Sequence, residues 1–564
     1  MPAQRPSLGE KIRSARSVRG IPPDRHLTSF TTIGALLRHR AEERPSDTYL
    51  VYRDDGGART VFSYGEIHRK ACQVARYLLG NGVGRGDRVA VVAYNHSDTV
   101  IEYLACWSIG AVVVPVNVGE DDRRIGYILS NSEARLAFVR AEFADRIARL
   151  LPPAGHEMHV VIVGGKEGVF ERTVDAGDDT PDGFPDVSPE DDALIVYTSG
   201  TTGHPKGVVL LQYNLLVDAK AIAEWHAMAP GERMMCVLPI HHVNGIVVTL
   251  ITPLWYGGSV TLLRKFHTGS FWPTIAQEGV AVASVVPTLL QFLLHDAARG
   301  AGAVPPGFRH IICGAGPLTC DLAVNFESAF GVPIIHGYGL SETTCYSCFL
   351  PPDLAAEEHT RWLKEYGFPS IGVPLAVNEM AIHDQAGNAL PEKARGEIVI
   401  RGHNVMREYF AEREVNERTF EHGWFRSGDE GFFIRDGSGR PFFFITGRLK
   451  ELIIRGGTNI SPFEIDEVLM NIPGVVAGLA VGFDNDWYGE EVGAYVRRAE
   501  GSGLTAEQVI AECRKAFSFQ KCPKVVLFGD DIPVTSTGKY QRNRLKPLFA
   551  DWKTVQFSES KQHQ

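Results

Sequence analysis

Short, wholly apolar runs set among amphipathic helices restrict the fold of this chain more than any other feature. Arg88-Val-Ala-Val-Val-Ala93 is bounded by Gly-Arg-Gly-Asp and Tyr-Asn-His, and Val112-Val-Val-Pro-Val116 and Ala137-Phe-Val139 repeat the style. Runs this short, with no polar alternation, read as strands buried on both faces. Helical spacing at Ile33 to Arg44 and Asp121 to Ser130 completes a βαβ rhythm. That rhythm predicts an α/β fold with a largely parallel sheet covered by helices.

The texture then changes along the chain. Residues 167–192 are acidic and rich in Gly and Pro, and read as a surface loop. Between Glu379 and Ile445, Glu397-Ile-Val-Ile-Arg401 and Pro441-Phe-Phe-Phe-Ile445 are strand-like, with Gly-rich turns such as Asp436-Gly-Ser-Gly439. They predict a smaller β unit beside the α/β body. After Gly447-Arg-Leu-Lys450 a compact segment begins, with a helix-start signature at Ser461-Pro-Phe-Glu464. The expected organisation is a flexible basic tail (1–28), a large domain of stacked α/β sheets plus a β subdomain (29–447), and a small α+β domain (448–564).

Composition excludes several classes. In 564 residues, 57 Lys and Arg against 67 Asp and Glu give a net charge of −10, so no general field draws the chain to nucleic acid. Nine cysteines are too sparse for a disulfide scaffold and fit a reducing, cytoplasmic setting. Arg5, Lys11, Arg13, Arg16, Arg19 and Arg25 are followed by no apolar run, so no secretory signal is expected. The uncharged stretch from Val243 to Leu263 is broken by Pro253 and Gly257-Gly258. A spanning helix wants about twenty unbroken apolar residues, so a buried helix leading into a buried strand is expected instead.

The sharpest motif is Tyr197-Thr-Ser-Gly-Thr-Thr-Gly-His-Pro-Lys206-Gly207. Gly200, Gly203 and Gly207 allow tight turns, Thr198, Ser199, Thr201 and Thr202 supply hydroxyls, and Lys206 supplies a mobile charge. Backbone donors, hydroxyls and one lysine suit a polyphosphate. It is not a Walker A loop, because Pro205 and Gly207 stand where Gly and Ser or Thr are required.

This loop resembles the phosphate-binding loop of the adenylate-forming enzymes: acyl-CoA synthetases, the adenylation domains of peptide synthetases, and firefly luciferase. Four further blocks follow in that family's order. His336-Gly-Tyr-Gly-Leu-Ser-Glu342 and Trp424-Phe-Arg-Ser-Gly-Asp429 carry Ser where the family has Thr. Gly447-Arg448-Leu-Lys450 through Asn459 resembles the hinge block, and Pro533-Val-Thr-Ser-Thr-Gly-Lys539 the C-terminal lysine block.

The resemblance implies attack of a carboxylate on the α-phosphate of ATP, giving an acyl-adenylate and pyrophosphate, then transfer to coenzyme A. Two anions must approach, so fixed cations and dipoles govern the step. The carry-over gives Lys206 and the loop the β- and γ-phosphates, and Lys539 the reacting carboxylate and α-phosphate. Glu342, with Thr198, takes Mg²⁺, a hard cation that prefers oxygen. Asp429 takes the ribose hydroxyls and Arg448 the ribose or phosphate. Tyr338 stacks on adenine beside Gly314-Ala315-Gly316, within the nucleotide blocks that also include His336, Gly337, Gly339 and Ser341. The small domain turns about Lys450, withdrawing Lys539 and bringing Gly456 and Gly457 to the pantetheine. His242, Val243, Gly339, Cys345 and Tyr346 line the acyl pocket, which the apolar stretch past His242 suits to a fatty or aryl acid.

Alternatives to CoA are a carrier protein's phosphopantetheine, or an amine acceptor. A different class, a nucleotide-binding regulator without catalysis, sits poorly with Lys206, Glu342 and Lys539 together. His241-His242 lacks the Asp of an acyltransferase motif. Cys345-Tyr-Ser-Cys348 has no second ligand pair nearby for zinc. Oligomeric state is not readable.

Overall fold

The computed structural model describes residues 6–151, 158–165, 168–198, 204–297, 303–534 and 540–558, which build three sheets. The first follows the expected rhythm. Arg88–Val92 pairs in parallel with Val112–Val116 on one side and Leu136–Arg140 on the other, and His159–Val163 extends it. The helices Ser97–Ser108 and Asp122–Asn131 make the crossovers. Past Val112–Val116 lies Asp192–Thr198, which turns back as an antiparallel hairpin with Lys206–Leu211. The short strand Glu408–Tyr409 closes that edge.

The second sheet has a parallel centre made of Ile334–Tyr338, His310–Cys313, Val280–Val285, Arg233–Cys236, Ser259–Leu263 and Thr48–Arg53. Beyond Ile334–Tyr338 the pairing becomes antiparallel and runs through Cys348–Phe349 and Ser370–Pro374 into Pro441–Arg448, Phe425–Arg435, Gly396–Gly402 and Asn378–His383. The expected β unit is therefore the antiparallel end of the main sheet, not a separate unit packed beside it. Two glycines permit the junction. A Cβ on Gly372 would come within 1.9 Å of the Phe349 backbone, and one on Gly337 within 2.2 Å of the Phe349 ring.

The uncharged stretch forms a buried helix and then a strand, as expected. Asn244–Ile251 is a π-helix with every residue buried, continuing into Thr252–Tyr256 and the strand Ser259–Leu263. Thr249 and Thr252 donate their hydroxyls to the carbonyls of Gly245 and Val247 at 2.7 and 2.8 Å, so the widened helix keeps its polar groups satisfied. Among the described residues no helix is long and apolar enough to cross a membrane.

Two further expectations are corrected. The basic tail is folded from residue 6. Ser7 and Glu10 form a capping box for the helix Leu8–Ala15, and Ala15 and Val18 are buried. Arg19 donates through Nη1 to the Ala376 carbonyl at 2.9 Å, and the Leu27 N–H donates to the Tyr213 hydroxyl at 2.9 Å. The arginines masked a short amphipathic segment whose cap was legible. Likewise, the acidic loop contains the helix Val169–Asp175, in which Phe170 packs edge-on against Tyr77 and Val174 is buried.

The third sheet begins at Ile453, just past Lys450. It contains Ile453–Arg455, Thr458–Ile460, Gly489–Arg498, Val475–Asn485 and Val525–Phe528. The helices Pro462–Met470 and Ala506–Ala516 cover it with Ile465, Leu469 and Val509, giving this segment a core of its own.

Candidate active site

A cleft of about 830 Å³ opens where the parallel strands of the main sheet end. Its walls come from Gly316, from His336 through Gly339, and from Asp429 and Arg448, while Glu451, Tyr540 and Arg542 face it from the C-terminal segment. Ligands of open α/β sheets bind at such carboxyl ends. His336 through Gly339 end the strand Ile334–Tyr338, and Asp429 and Arg448 pair across neighbouring antiparallel strands.

Tyr338, Asp429 and Arg448 form one array. The Tyr338 hydroxyl donates to Asp429 Oδ2 at 2.6 Å, and Arg448 Nε stands 3.1 Å from Asp429 Oδ1. Asp429 is 3% exposed. The Asp429 charge raises the Arg448 guanidinium pKa further above its ordinary value, and burial raises the Tyr338 phenol. A carboxylate held by one hydroxyl donor and one ion pair keeps acceptor capacity toward the cleft. His336 is buried, with Nδ1 2.8 Å from the Ser370 carbonyl; burial brings its pKa down to about 4, so the ring is neutral near pH 7.

Glycine is required here by close approach. A Cβ on Gly339 would lie 1.9 Å from the Cys345 carbonyl oxygen, and one on Gly314 would lie 2.6 Å from the Tyr346 hydroxyl. Between Gly314 and Gly316, Ala315 adopts φ +61°, an uncommon conformation for a residue with a side chain. Ser341 opens the single turn Ser341–Thr343 that carries Glu342.

Ser199, Gly200, Thr201, Thr202 and Gly203 lie outside the described residues, as does Lys539. Their flanks are defined. Thr198 and Lys206 face each other in register across the hairpin. Burial first, and then the nearby Lys450 charge, lower the Lys206 pKa. Lys206 Nζ sits 5.3 Å from the centre of the Tyr409 ring, and the Tyr409 hydroxyl donates to Glu342 Oε1 at 2.6 Å. Glu342 Oε2 has no hydrogen-bond donor among the described residues, which leaves a carboxylate oxygen of the kind a hard cation takes. On the far side, Val534 bridges to Tyr540 and the Gln541 N–H donates to the Pro533 carbonyl at 2.8 Å, which brings together the two flanks of the Lys539 segment.

Other expected residues stand elsewhere. Of the acyl set, Gly339 lines the cleft, whereas Val243, Cys345 and Tyr346 are buried behind it. His242 lines a separate space of about 30 Å³ with Glu120, Arg124, Tyr197 and Pro205. Gly456 and Gly457, at φ +55° and +82°, make the turn between Ile453–Arg455 and Thr458–Ile460; neither they nor Lys450 line the cleft in this orientation. Cys345 and Cys348 are free and buried, and no group of three metal-binding side chains occurs among the described residues.

Sequence reading missed Tyr409, Arg542, Asn244 and Ser284. Ser284 Oγ donates to Asn244 Oδ1 at 2.8 Å, and Asn244 Nδ2 donates to the Tyr346 hydroxyl at 3.3 Å. Arg542 is 6% exposed and grips Asp466 through both nitrogens, with Nη1 2.9 Å from Oδ1. An arginine three places past Lys539 and a lone polar residue in an apolar run were the available signals.

Residues 37–410 match the family model of AMP-binding enzymes, and residues 464–539 match that of the AMP-binding enzyme C-terminal domain. The chain belongs to the AMP-binding enzyme family. It is an AMP-forming acid–thiol ligase, with the fold of the adenylate-forming superfamily. The sulfoacetate–CoA ligase of Cupriavidus necator is 34% identical over 517 residues, covering 92% of this chain and 97% of that one. The oxalate–CoA ligase of Arabidopsis thaliana is 32% identical, with coverage of 92% and 99%. Among solved structures, ATP-bound MatB from Rhodopseudomonas palustris superposes with a TM-score of 0.81 at 27% identity, covering 92% of this chain and 100% of that one. Its apo form gives a TM-score of 0.71.

Proposed function

We propose that this ligase joins a short carboxylic acid, bearing a second oxygen-containing polar group, to coenzyme A through an acyl-adenylate. One acid oxygen attacks the α-phosphorus of ATP as pyrophosphate leaves. The CoA thiol then attacks the acyl carbon and AMP leaves. Lys206 holds the β- and γ-phosphates, Asp429 the ribose, and Lys539 the charge gathering between the reacting groups. Glu342, with Thr198, would hold Mg²⁺, which would supply positive charge against the phosphates.

The observation that carries the choice of acid is the Ser284–Asn244–Tyr346 array behind the cleft floor. A long chain passing Gly339 would have to displace Tyr346, which is 2% exposed and packs on Phe349 at 4.2 Å between ring centres. Closed by its own hydrogen bonds, the array fixes the Tyr346 ring in place and limits the depth of the acyl site, which suits a compact acid. The names of the sulfoacetate and oxalate ligases support the same class.

An apolar acid is the second reading. Val243, Leu340 and Cys345 favour it, as does 31% identity to a feruloyl-CoA synthase of Amycolatopsis. Pyrophosphate release measured over short hydroxy-, keto- and dicarboxylic acids, sulfonated acids, cinnamic-type acids and fatty acids separates the two. The first reading expects kcat/KM to be highest for a short polar acid. A fatty or aryl acid in first place sinks it.

A further inference from the structure

We propose that Tyr409 is a positioning residue that stands between Lys206 and Glu342 and keeps both available for nucleotide and metal. This rests on the reading that Lys206 meets phosphate and Glu342 meets Mg²⁺. One phenol serves both groups. Its hydroxyl donates to Glu342 Oε1 at 2.6 Å, and its ring faces Lys206 Nζ at 5.3 Å, within the range of a cation–π contact. Lys206 and Glu342 are not ion-paired with each other, although neighbouring backbone holds both. Tyr409 pairs with Val208, just after Lys206, and the Met406 N–H donates to the Glu342 carbonyl at 2.8 Å.

Opposite charges this near attract through a partly buried medium. A lysine spent on a carboxylate is a poorer partner for phosphate, and a carboxylate spent on lysine is a poorer metal ligand. The aromatic face satisfies the ammonium without neutralising it. The hydroxyl takes one carboxylate oxygen and leaves Oε2 without a donor among the described residues.

The backbone holds Tyr409 firmly in this place. Asn416 accepts the Tyr409 N–H at 2.8 Å and donates to its carbonyl at 2.9 Å, and the Phe410 N–H donates to the Gly207 carbonyl at 2.7 Å. Tyr409 itself is 9% exposed. Two strand residues, Glu408 and Tyr409, thus fix a phenol against both the phosphate-loop hairpin and the Glu342 turn.

The test compares Tyr409→Phe and Tyr409→Leu with the parent chain by calorimetric ATP binding, with Mg²⁺ and with a chelator, and by electron paramagnetic resonance of Mn²⁺ bound with ATP. Tyr409→Phe keeps the ring and loses the donor. It is expected to weaken MgATP and Mn²⁺ binding about tenfold while changing metal-free ATP binding less than about twofold, since a hydrogen bond to a charged group is lost and the ammonium contact stays. Tyr409→Leu weakens both. Transfer of a supplied acyl-adenylate to CoA stays at the parent rate in Tyr409→Phe, which a general structural defect would not allow. Parent-like MgATP binding in Tyr409→Phe, or equal loss with and without metal, overturns the proposal. Lys206→Ala and Glu342→Gln are the companions: if neither weakens MgATP, the underlying site reading fails; if both do and Tyr409→Phe does not, only the role of Tyr409 fails.

Discussion

Glu464 reaches Arg395 at 2.7 Å, tying the first helix of the C-terminal segment to the antiparallel end of the main sheet. The other Glu464 oxygen takes Lys521 at 2.7 Å, within its own segment. The pair belongs to the orientation in which Tyr540 and Arg542 face Asp429 and Arg448 across the cleft. Removing it favours departure from that orientation. Arg395→Ala is expected to slow acyl-adenylate formation about three- to tenfold and to speed transfer to CoA from supplied acyl-adenylate, as a shift of a two-state population requires. Rapid-quench measurement of the two half-reactions decides it; equal effects on both count against the latch.

Lys539 is expected to act in one half-reaction alone. Lys539→Ala should lower acyl-adenylate formation by about 10²–10³, the usual scale for a preorganised charge at a reacting phosphoryl group. Transfer from supplied acyl-adenylate should persist within about threefold. Lys450→Pro, by fixing the backbone at the turning point, should impair one half-reaction far more than the other. If both substitutions depress both steps alike, the turning model fails.

Arg542 and Asp466 form a buried ion pair, and such pairs are costly to break from one side. Arg542→Met alone is expected to destabilise the C-terminal segment by about 3–5 kcal/mol, because Asp466 is left buried with only the Ala480 N–H and no counter-cation. Arg542→Met with Asp466→Leu should recover most of that loss. Chemical denaturation followed by hydrogen exchange of peptides from the C-terminal segment reads both. A double variant no more stable than the single one contradicts the pairing argument.

Glu467 carries a pH dependence. Burial pushes its carboxyl up to about 7 from an ordinary value of 4.5, although it accepts the Asp321 N–H at 3.4 Å. Between those two values the folded chain holds a proton that the unfolded chain has released. Its contribution is therefore greatest below pH 4.5 and is lost as pH rises through 7. Glu467→Gln should flatten the fall in Tm between pH 5 and 8 relative to the parent. Parallel Tm curves for the two proteins would show that Glu467 is not the titrating group.

The motifs of the site were legible because each depends on local backbone. Gly200 and Gly203 read as turns that present donors, and Gly337 and Gly339 as places where another group must come close to the backbone, whatever the surrounding fold. The buried strands were legible for a related reason: an apolar run without alternation has no solvated face. The tail helix at Leu8–Ala15 was readable in principle from Ser7 and Glu10, but its scattered arginines spoke louder. The β segment was recognised as strands and misplaced as a unit, since strand pairing joins residues far apart in sequence.

The amino-acid order alone thus determined the α/β class, the family and its ligase chemistry, and it supplied the roles proposed for the phosphate loop and Lys539. Tertiary structure decided what stands beside each motif. Tyr409 comes between Lys206 and Glu342 only because the strand Glu408–Tyr409 adds to the edge formed by Lys206–Leu211. Tyr346 backs the cleft only because Gly314 and Gly339 let strand ends close upon it. Such neighbours are set by sheet order and by the packing of remote segments, which no local periodicity records, because the energy of a contact depends on distance in space and not along the chain.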